Sequence, residues 1–359
     1  MRIYIQERDL TADVPPQDAL RAELVQTVGM VNLLLGGWYE PPTHGALHLS
    51  TLVQQVLSLI AQHGGVRPIE AWRALCQGGA FRFVDERMFA KFLRSLGEHD
   101  LVVQSPDGTL LLGIRGERTV GHYSFFTAFM TPDEYRLVAE GRTLGTIPID
   151  FPVGEGTYLI FAGRRWRVVS VDAEHRVIDL VPSVGGLVPR FTGSGGGVHD
   201  RVRQEMLRIY TSEDVPTFLD TTARDLLLEG REHFARFGLG RRSLIEHGGD
   251  TLLFCWMGDR VMDTLLVILR QRGLKVQRDG LALTIESRSR VEVAEHLRSI
   301  ISTPPVDARA LAVTVANKRT EKYHAFLTEE LLSADYASQR LNPEGAWTSM
   351  QRILPHEML

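Results

Sequence analysis

Cysteine is scarce in this sequence, which has only Cys76 and Cys255 among its 359 residues. Two cysteines cannot supply the disulfide framework of a small secreted domain or a four-cysteine zinc site. Long apolar runs are also missing, since none approaches the roughly 18–20 residues that a helix needs to cross a bilayer. Charged residues appear from Arg2 onward, too early for a secretory signal. We therefore expect a cytoplasmic protein with no membrane partner.

The motifs of nucleotide-binding and hydrolytic sites are absent as well. The sequence contains no G-x-x-x-x-G-K-[ST] loop, whose backbone amides and lysine bind nucleotide phosphates. The glycine-rich segment 193–197 lacks that lysine and fits a flexible boundary between domains. No G-x-S-x-G nucleophile elbow is present, and His44 with His48 has no acidic third ligand nearby. The sequence therefore predicts no catalytic centre and no cofactor in this chain.

Local patterns divide the chain into four segments. Residues 1–42 carry an alternating strand and an amphipathic linker helix, and the strand has no nearby partner, so we expect it to continue from a domain upstream. Residues 43–125 have the pattern of a winged helix, and residues 126–197 contain short β-branched strands typical of a small β-barrel-like domain. Residues 198–359 predict an α/β unit with a helical tail. The expected fold class is therefore α+β.

The winged-helix prediction depends on three helices followed by a hairpin. Ser50 is expected to cap the first helix, and Gly64-Gly65 to end it. The third helix is expected to open near Asp85. Two short strands then flank Ser105-Pro106-Asp107-Gly108, which is a strong hairpin signal.

A basic and aromatic cluster is the best candidate for a binding site. With a net charge of −4, nucleic-acid binding requires a local basic patch. Arg164-Arg165-Trp166-Arg167 opens a predicted strand; guanidinium groups neutralise phosphates, and an indole can stack on an unpaired base. Strand alternation places Arg165 and Arg167 on one face and Trp166 with Val168 on the other. Trp166 can therefore lie either in the core of the β-rich domain or against a ligand.

Other candidates carry weaker signals. Lys91 and Arg94 lie on the outer side of the third predicted helix, where winged helices often meet nucleic acid, although a solvated helix face explains them equally well. Arg190 and Phe191 follow the predicted strands and could extend the basic and aromatic surface. The aromatic run from His122 to Phe129 is better explained by packing between domains.

Several short motifs occur in an order that is similar to one known family. They are Arg2–Ile5, Gly37–Pro42, Gly145–Pro148, Phe161–Val168, Pro182 with Gly185-Gly186, Asp335–Ser338, Arg340-Leu341 and Gly345–Trp347. Together they cover nearly the whole chain, which resembles the Lhr-type superfamily 2 helicases of the DEAD/DEAH-box group. In that family two RecA-like domains use ATP and Mg²⁺ to translocate along single-stranded DNA and to unwind DNA or RNA–DNA duplexes. No position here matches the motor motifs.

The resemblance implies the carboxy-terminal part of such a helicase, with ATP and Mg²⁺ bound only by a RecA-like motor supplied in cis or in trans. It implies single-stranded DNA or an RNA–DNA hybrid as the partner, and contact between Trp166 and a base. Two other classes of function stay open. The chain could be a protein-interaction scaffold without a nucleic-acid role, or an enzyme with a site near Gly258 and Asp259, where a strand end precedes a helix start.

Overall fold

The structure, a computed structural model, has a mixed α+β fold that divides into two compact units. It describes residues 2–5, 7, 10, 14, 16–43, 45–128, 133–149, 158–161, 164–172, 175–183, 197–315 and 318–357. The larger unit comprises Met1–Ala128 and Gly197–Leu359, and the smaller unit comprises Phe129–Gly196. The predicted segment 126–197 nearly coincides with the smaller unit, whereas the other three predicted segments are parts of the larger one. No helix among the described residues is long and apolar enough to span a membrane.

The first half of the larger unit is mainly helical. Its elements are α1 (Pro16–Ala19), α2 (Ala22–Leu35), α3 (Leu49–His63), α4 (Pro68–Cys76), α5 (Glu86–Glu98), β1 (Val102–Gln104), β2 (Leu110–Leu112), α6 (Ile114–Val120) and a 3-10 turn (Tyr123–Phe126). The linker helix predicted from residue 18 is interrupted, because Arg21 adopts a left-handed conformation with φ of 53°. Arg2–Ile5 lie outside any strand of this structure; the strand predicted there requires a hydrogen-bonded neighbour from another domain and stays a prediction.

Helices α3 to α5 and the two strands share one hydrophobic core. The prediction that Ser50 caps α3 is wrong. Helix α3 begins at Leu49, one residue before Ser50, and distant groups bond both the first amide of α3 and the Ser50 hydroxyl. Leu49 N donates to Asp335 Oδ1 at 3.0 Å, while the Ser50 hydroxyl accepts from Tyr323 N. Asp85 caps α5 as predicted, since its carboxylate accepts from Met88 N at 2.7 Å.

The hairpin between β1 and β2 is confirmed, and its turn depends on Asp107. The Asp107 carboxylate accepts hydrogen bonds from the Ser105 hydroxyl and from the backbone and hydroxyl of Thr109. These bonds favour the ionised form and lower the pKa of Asp107 from 3.8 to about 2. A depressed folded pKa means that this contribution to stability is present above pH 3.8 and is lost as the pH falls through 2.

We expect an NMR titration to give Asp107 a pKa of about 2, and Ser105→Ala to raise it toward 3.8, because the hydrogen bond that lowers this pKa most is removed. Glu292 lies outside this turn, and its own pKa is lowered by hydrogen bonds from Ser289 and Arg288; it is the control resonance and should not change in the variant. A wild-type pKa of 3.8 for Asp107 would contradict the turn geometry.

The smaller unit is a five-stranded sheet in its described residues. Its strands are β3 (Asp133–Ala139), β4 (Arg142–Ile149), β5 (Tyr158–Phe161), β6 (Arg164–Asp172) and β7 (Val177–Pro182), in the order β4-β3-β7-β6-β5. The sequence did not indicate β3, which pairs parallel to β7, while the other pairs are antiparallel.

This sheet is strongly curled. A Cβ atom added to Gly145 on β4 would lie 2.6 Å from Phe161 Cζ on β5. In a flat sheet these two edge strands would be about 19 Å apart, four strand spacings. The contact therefore brings the two edges together, and only a glycine at position 145 leaves room for the ring.

The second half of the larger unit surrounds a four-stranded antiparallel sheet of order β10-β11-β9-β8. The elements are α7 (Asp200–Thr211), α8 (Thr221–Arg236), β8 (Leu244–His247), β9 (Asp250–Leu253), α9 (Asp259–Gln271), β10 (Val276–Asp279), β11 (Ala282–Ile285), α10 (Arg290–Ile301), α11 (Ala308–Val313), α12 (Glu329–Arg340) and α13 (Pro343–Ile353). The predicted α/β unit is thus corrected to an α+β arrangement, because β10 with β11, β11 with β9 and β8 with β9 all pair antiparallel.

The two faces of this sheet bury different helices. Leu253 and Ile285 share a core with α9, α10 and α13. Leu252 and Ala282, which face the other way, share a core with α2, α7 and α8. Residues 22–35 are therefore a structural helix of this half rather than a linker to the predicted winged helix.

Candidate nucleic-acid interface

Strand β6 turns Arg167 away from Trp166, and Arg164 is the first residue of the strand. Arg164 and Arg167 are exposed, whereas Trp166 is only 7% exposed and Val168 1%. The shared face of Trp166 and Val168 is as predicted from alternation. The side chain of Arg165 lies outside the described residues, as do Arg190 and Phe191. Arg164 and Arg167 are therefore the described members of this cluster that can reach a phosphate.

Trp166 is a core residue of the smaller unit. Its ring packs with Leu159, Ile178 and Leu180, and its Nε1 donates to Phe161 O at 3.2 Å. An indole ring that is only 7% exposed has no face free to stack on a base. The expected contact between Trp166 and a base is therefore not supported by this structure. Trp166 instead positions the strand that carries Arg164 and Arg167.

Helix α5 has one covered side and one open side. Lys91 forms an ion pair with Glu330 at the start of α12, and the Ser95 hydroxyl donates to Phe326 O at 2.7 Å. This ion pair is exposed to solvent, where such pairs are weak, so Lys91 stays a predicted nucleic-acid contact. Arg94 remains exposed, and Arg87, which lies two turns earlier on the same face, is exposed too. Arg87 was not predicted as a candidate, although its seven-residue spacing from Arg94 is visible in the sequence.

The aromatic run near residue 125 is only partly buried. Phe125 packs into the core that contains α3 and α5 and is 7% exposed. Tyr123 and Phe126 are 81% and 85% exposed, and Phe129 lies outside the described residues. Packing therefore explains Phe125 but not the two rings beside it.

Comparisons with known proteins identify no relative of this chain. No family model, curated protein or solved structure matches it. The resemblance to Lhr-type helicases therefore depends on the sequence motifs, and the function has to be inferred from the sites themselves.

A second group of residues, Glu321, His324 and Asp335, has the spacing of metal ligands. His324 Nδ1 accepts hydrogen bonds from the amides of Thr320 and Glu321, both at 3.1 Å. Because Nδ1 accepts, the ring proton lies on Nε2, which is 3.1 Å from Asp335 Oδ2. The other Asp335 oxygen accepts from Leu49 N. Both nitrogens of the ring are thus used in hydrogen bonds, and the group joins α3 to α12.

A third group lies at the start of α9, where the sequence left an enzyme possible. Arg278 contacts Asp263 at 2.6 Å and Asp259 at 3.2 Å, and the buried Arg203 is 3.7 Å from Asp259. Burial raises the pKa of Asp263, and the Arg278 guanidinium opposes that shift. Cys255 lies shortly before Asp259 in the sequence. Burial raises the pKa of its thiol to about 11, so the thiol is not ionised to the thiolate that would act as a nucleophile. Titratable side chains do cluster here, but the arginines neutralise the two carboxylates.

Asp200 and Asp259 also hold backbone amides at this place. Asp200 Oδ1 accepts from Gly258 N at 2.6 Å, and Asp259 Oδ2 accepts from Val198 N at 3.1 Å. The cluster therefore fixes the starts of α7 and α9 against each other and against β10. The charged side chains of this cluster are therefore explained as ion pairs that hold the fold together.

Proposed function

We propose that this chain holds a single nucleic-acid strand for a RecA-like motor that is supplied in cis or in trans, as the accessory part of an ATP-dependent Lhr-type helicase. The observation that carries the proposal is the pair Arg164 and Arg167, both exposed on β6 while Trp166 between them is buried. Because the two arginines lie three residues apart on β6, alternation places them on opposite sides of the strand. Each guanidinium can bind a phosphate of a nucleic-acid strand that passes the start of β6. Hydrolysis is assigned to the motor because the sequence has no phosphate-binding loop.

Two features of the fold support this proposal. Helices α3, α4 and α5 followed by the β1–β2 hairpin have the element order of a winged helix, a common nucleic-acid-binding module. The curled sheet of the smaller unit has the character of a small barrel, an architecture that is often used for binding oligonucleotides. Each feature alone also occurs in proteins with other functions.

The test is a charge reversal on β6. We expect the double variant Arg164→Glu, Arg167→Glu to weaken binding of a fluorescent single-stranded (dT)16 by more than about 10-fold at low salt, because two attractive phosphate interactions become repulsive. The slope of log K against log salt should flatten by about 0.7 for each phosphate that is no longer neutralised. Fluorescence anisotropy over a salt series measures both quantities.

Arg136→Glu is the matched control. Arg136 is an exposed arginine in the same sheet, and it pairs with Val177, which also pairs with Asp172 at the far end of β6. Arg136→Glu should change binding by less than about 3-fold, since it is a similar charge change far from Arg164. Equal effects of the two variants would mean that only net charge matters, and no binding by the wild type at low salt would contradict the proposal.

A protein-interaction scaffold is the second candidate, and one groove favours it. Between α2 and α7 lies a cavity of about 580 Å³ whose lining includes Leu35, Trp38 and Phe218. Leu35 is 72% exposed and Phe218 45%, so apolar surface is open there. Absence of strand binding in the anisotropy series, together with retained fold, would favour this scaffold.

A further inference from the structure

The 3-10 turn Tyr123–Phe126 carries two aromatic side chains that are almost fully exposed. Tyr123 is 81% and Phe126 85% exposed, in contrast to Phe125 at 7%. Residues i and i+3 of a 3-10 helix eclipse each other, so the Tyr123 and Phe126 rings project from the same side of the turn. A single exposed apolar residue needs no explanation, but two aromatic rings paired on one short turn do.

The turn is anchored from its buried side. Gln54 Nε2 donates to Phe125 O at 2.5 Å, and Lys322 Nζ donates to Ser124 O and to Thr127 O, the latter at 2.7 Å. His122 Nδ1 accepts from Ser124 N at 3.3 Å. These bonds fix the backbone beneath the rings, so a ligand that stacks on them would not have to order the turn.

The surroundings of the turn are positive although the chain as a whole is negative. Lys322 lies beneath the turn, and Arg115 and Arg118 are exposed on the preceding helix α6. The exposed carboxylate of α6 is Glu117. The Arg115 guanidinium also lies 4.8 Å from the centre of the Phe326 ring. Three cations against Glu117 and the half-buried Glu321 keep this neighbourhood positive and suited to phosphates, in a protein whose net charge is −4.

The polar neighbours of the rings favour a nucleic-acid base over a protein surface. His122, Ser124 and Thr127 interrupt the apolar surface around the two rings, and His122 itself lies 4.4 Å from the Tyr123 ring. A stable protein interface buries about 800 Å² on each partner around an apolar centre. A base needs only one ring face, and each stacked base contributes without regard to sequence.

We propose that Tyr123 and Phe126 form a stacking platform for bases of single-stranded nucleic acid, with Arg115 and Arg118 placed for its phosphates. The proposal rests on the proposed function and adds a site in a segment whose sequence pattern predicted packing between domains. The platform lies in the larger unit, so it is a binding element separate from Arg164 and Arg167 on β6.

The experiment measures affinity and salt dependence of (dT)16 binding with the full chain. The double variant Tyr123→Ala, Phe126→Ala should bind at least about 10-fold more weakly at every salt concentration, because stacking is removed. The salt slope should stay that of the wild type, because the phosphate-binding arginines are unchanged. Tyr123→Phe with Phe126→Tyr keeps both rings and should bind as the wild type does. Tyr39→Ala, which removes a ring that is 73% exposed elsewhere in the same unit, is the matched control and should also bind normally.

Cross-linking identifies directly the residues that contact the bases. Ultraviolet cross-linking of (dT)16 that carries 5-iodouracil should modify Tyr123 or Phe126, as identified by mass spectrometry, and the double alanine variant should lack that product. Equal affinity of the wild type and the double alanine variant would overturn the platform while leaving the proposed function intact. No binding by the wild type would overturn both.

Two further outcomes would overturn the platform alone. A fall in the melting temperature of the double alanine variant would show that the rings pack within the protein, since removal of truly exposed rings leaves stability nearly unchanged. A dimer in sedimentation velocity that the double variant abolishes would identify the rings as a contact between copies of the chain.

Discussion

Trp166→Ala is expected to destabilise the smaller unit by about 3–5 kcal/mol, the range for removing a large buried aromatic side chain. The ring packs with Leu159, Ile178 and Leu180 and is 7% exposed, so its removal leaves a cavity that close-packed neighbours fill only in part. The hydrogen bond from the indole to Phe161 O is removed as well. A small unit has little stability in reserve, and we expect much of its sheet to open.

Hydrogen exchange followed by mass spectrometry separates the two units in this experiment. Strands β3 to β7 should exchange much faster in Trp166→Ala, while α3 to α5 keep their wild-type protection. Val169→Ala is the matched control on the same strand, because Val169 is 45% exposed and its truncation should cost less than about 1 kcal/mol. Unchanged exchange in β3 to β7 would contradict the core position of Trp166.

The core position of Trp166 also predicts how its variants bind a single strand. We expect Trp166→Ala to bind a single strand weakly, because strand β6, which carries Arg164 and Arg167, loses its packing. Trp166→Phe distinguishes this cause from a direct base contact: a phenyl ring fills much of the cavity, so binding should recover along with protection from exchange. A direct base contact would instead weaken binding with the sheet intact.

Asp335→Ala is expected to lower the free energy of unfolding of the larger unit by about 3–5 kcal/mol, because it removes a buried carboxylate that accepts three hydrogen bonds, and each bond to a charged group contributes about 1.5–3 kcal/mol. Asp335 is 1% exposed, and its carboxylate accepts from Leu49 N, His324 Nε2 and Gln339 Nε2. Its removal leaves buried donors without acceptors, including the first amide of α3, and each costs about 1–3 kcal/mol. Urea unfolding monitored by far-ultraviolet circular dichroism measures the change.

Ser338→Ala is the matched control for Asp335. The Ser338 hydroxyl accepts from Leu47 N at 3.1 Å, two residues before the amide that Asp335 accepts, but it is neutral. We expect a decrease of about 1 kcal/mol, the usual value for one neutral hydrogen bond. Decreases of equal size for Asp335→Ala and Ser338→Ala would contradict the central position of the Asp335 carboxylate in this part of the core.

The sequence predicted correctly those elements whose hydrogen bonds join residues only a few positions apart. Asp85 caps α5 through Met88, three residues away, and Asp107 closes the hairpin turn with Ser105 and Thr109. These contacts need no distant partner, and so the residue types and spacing suffice. The alternation that placed Trp166 with Val168 on one face of β6 is equally local, and it is confirmed.

The errors arose where a distant residue competes for the same group. Ser50 has the right chemistry to cap α3, but its hydroxyl accepts from Tyr323 N, 273 residues away, and the first amide of α3 donates to Asp335, 286 residues away. Lys91 likewise forms an ion pair with Glu330, which lies 239 residues away. Neither Asp335 nor Glu330 is visible as a partner in a local pattern, because both are brought close only when α12 packs against the first three-helix core.

For the candidate site, the amino-acid order determined that Trp166 and Arg167 point to opposite faces of one strand, because side chains on a strand alternate whatever surrounds them. It could not decide which face of that strand is buried. The tertiary structure decided it, since Trp166 is covered only when β5 and β7 lie on either side of β6 and the sheet curls. Packing in the larger unit decided the exposure of Tyr123 and Phe126, because burial of Phe125 in its core turns the neighbouring rings of the turn outward.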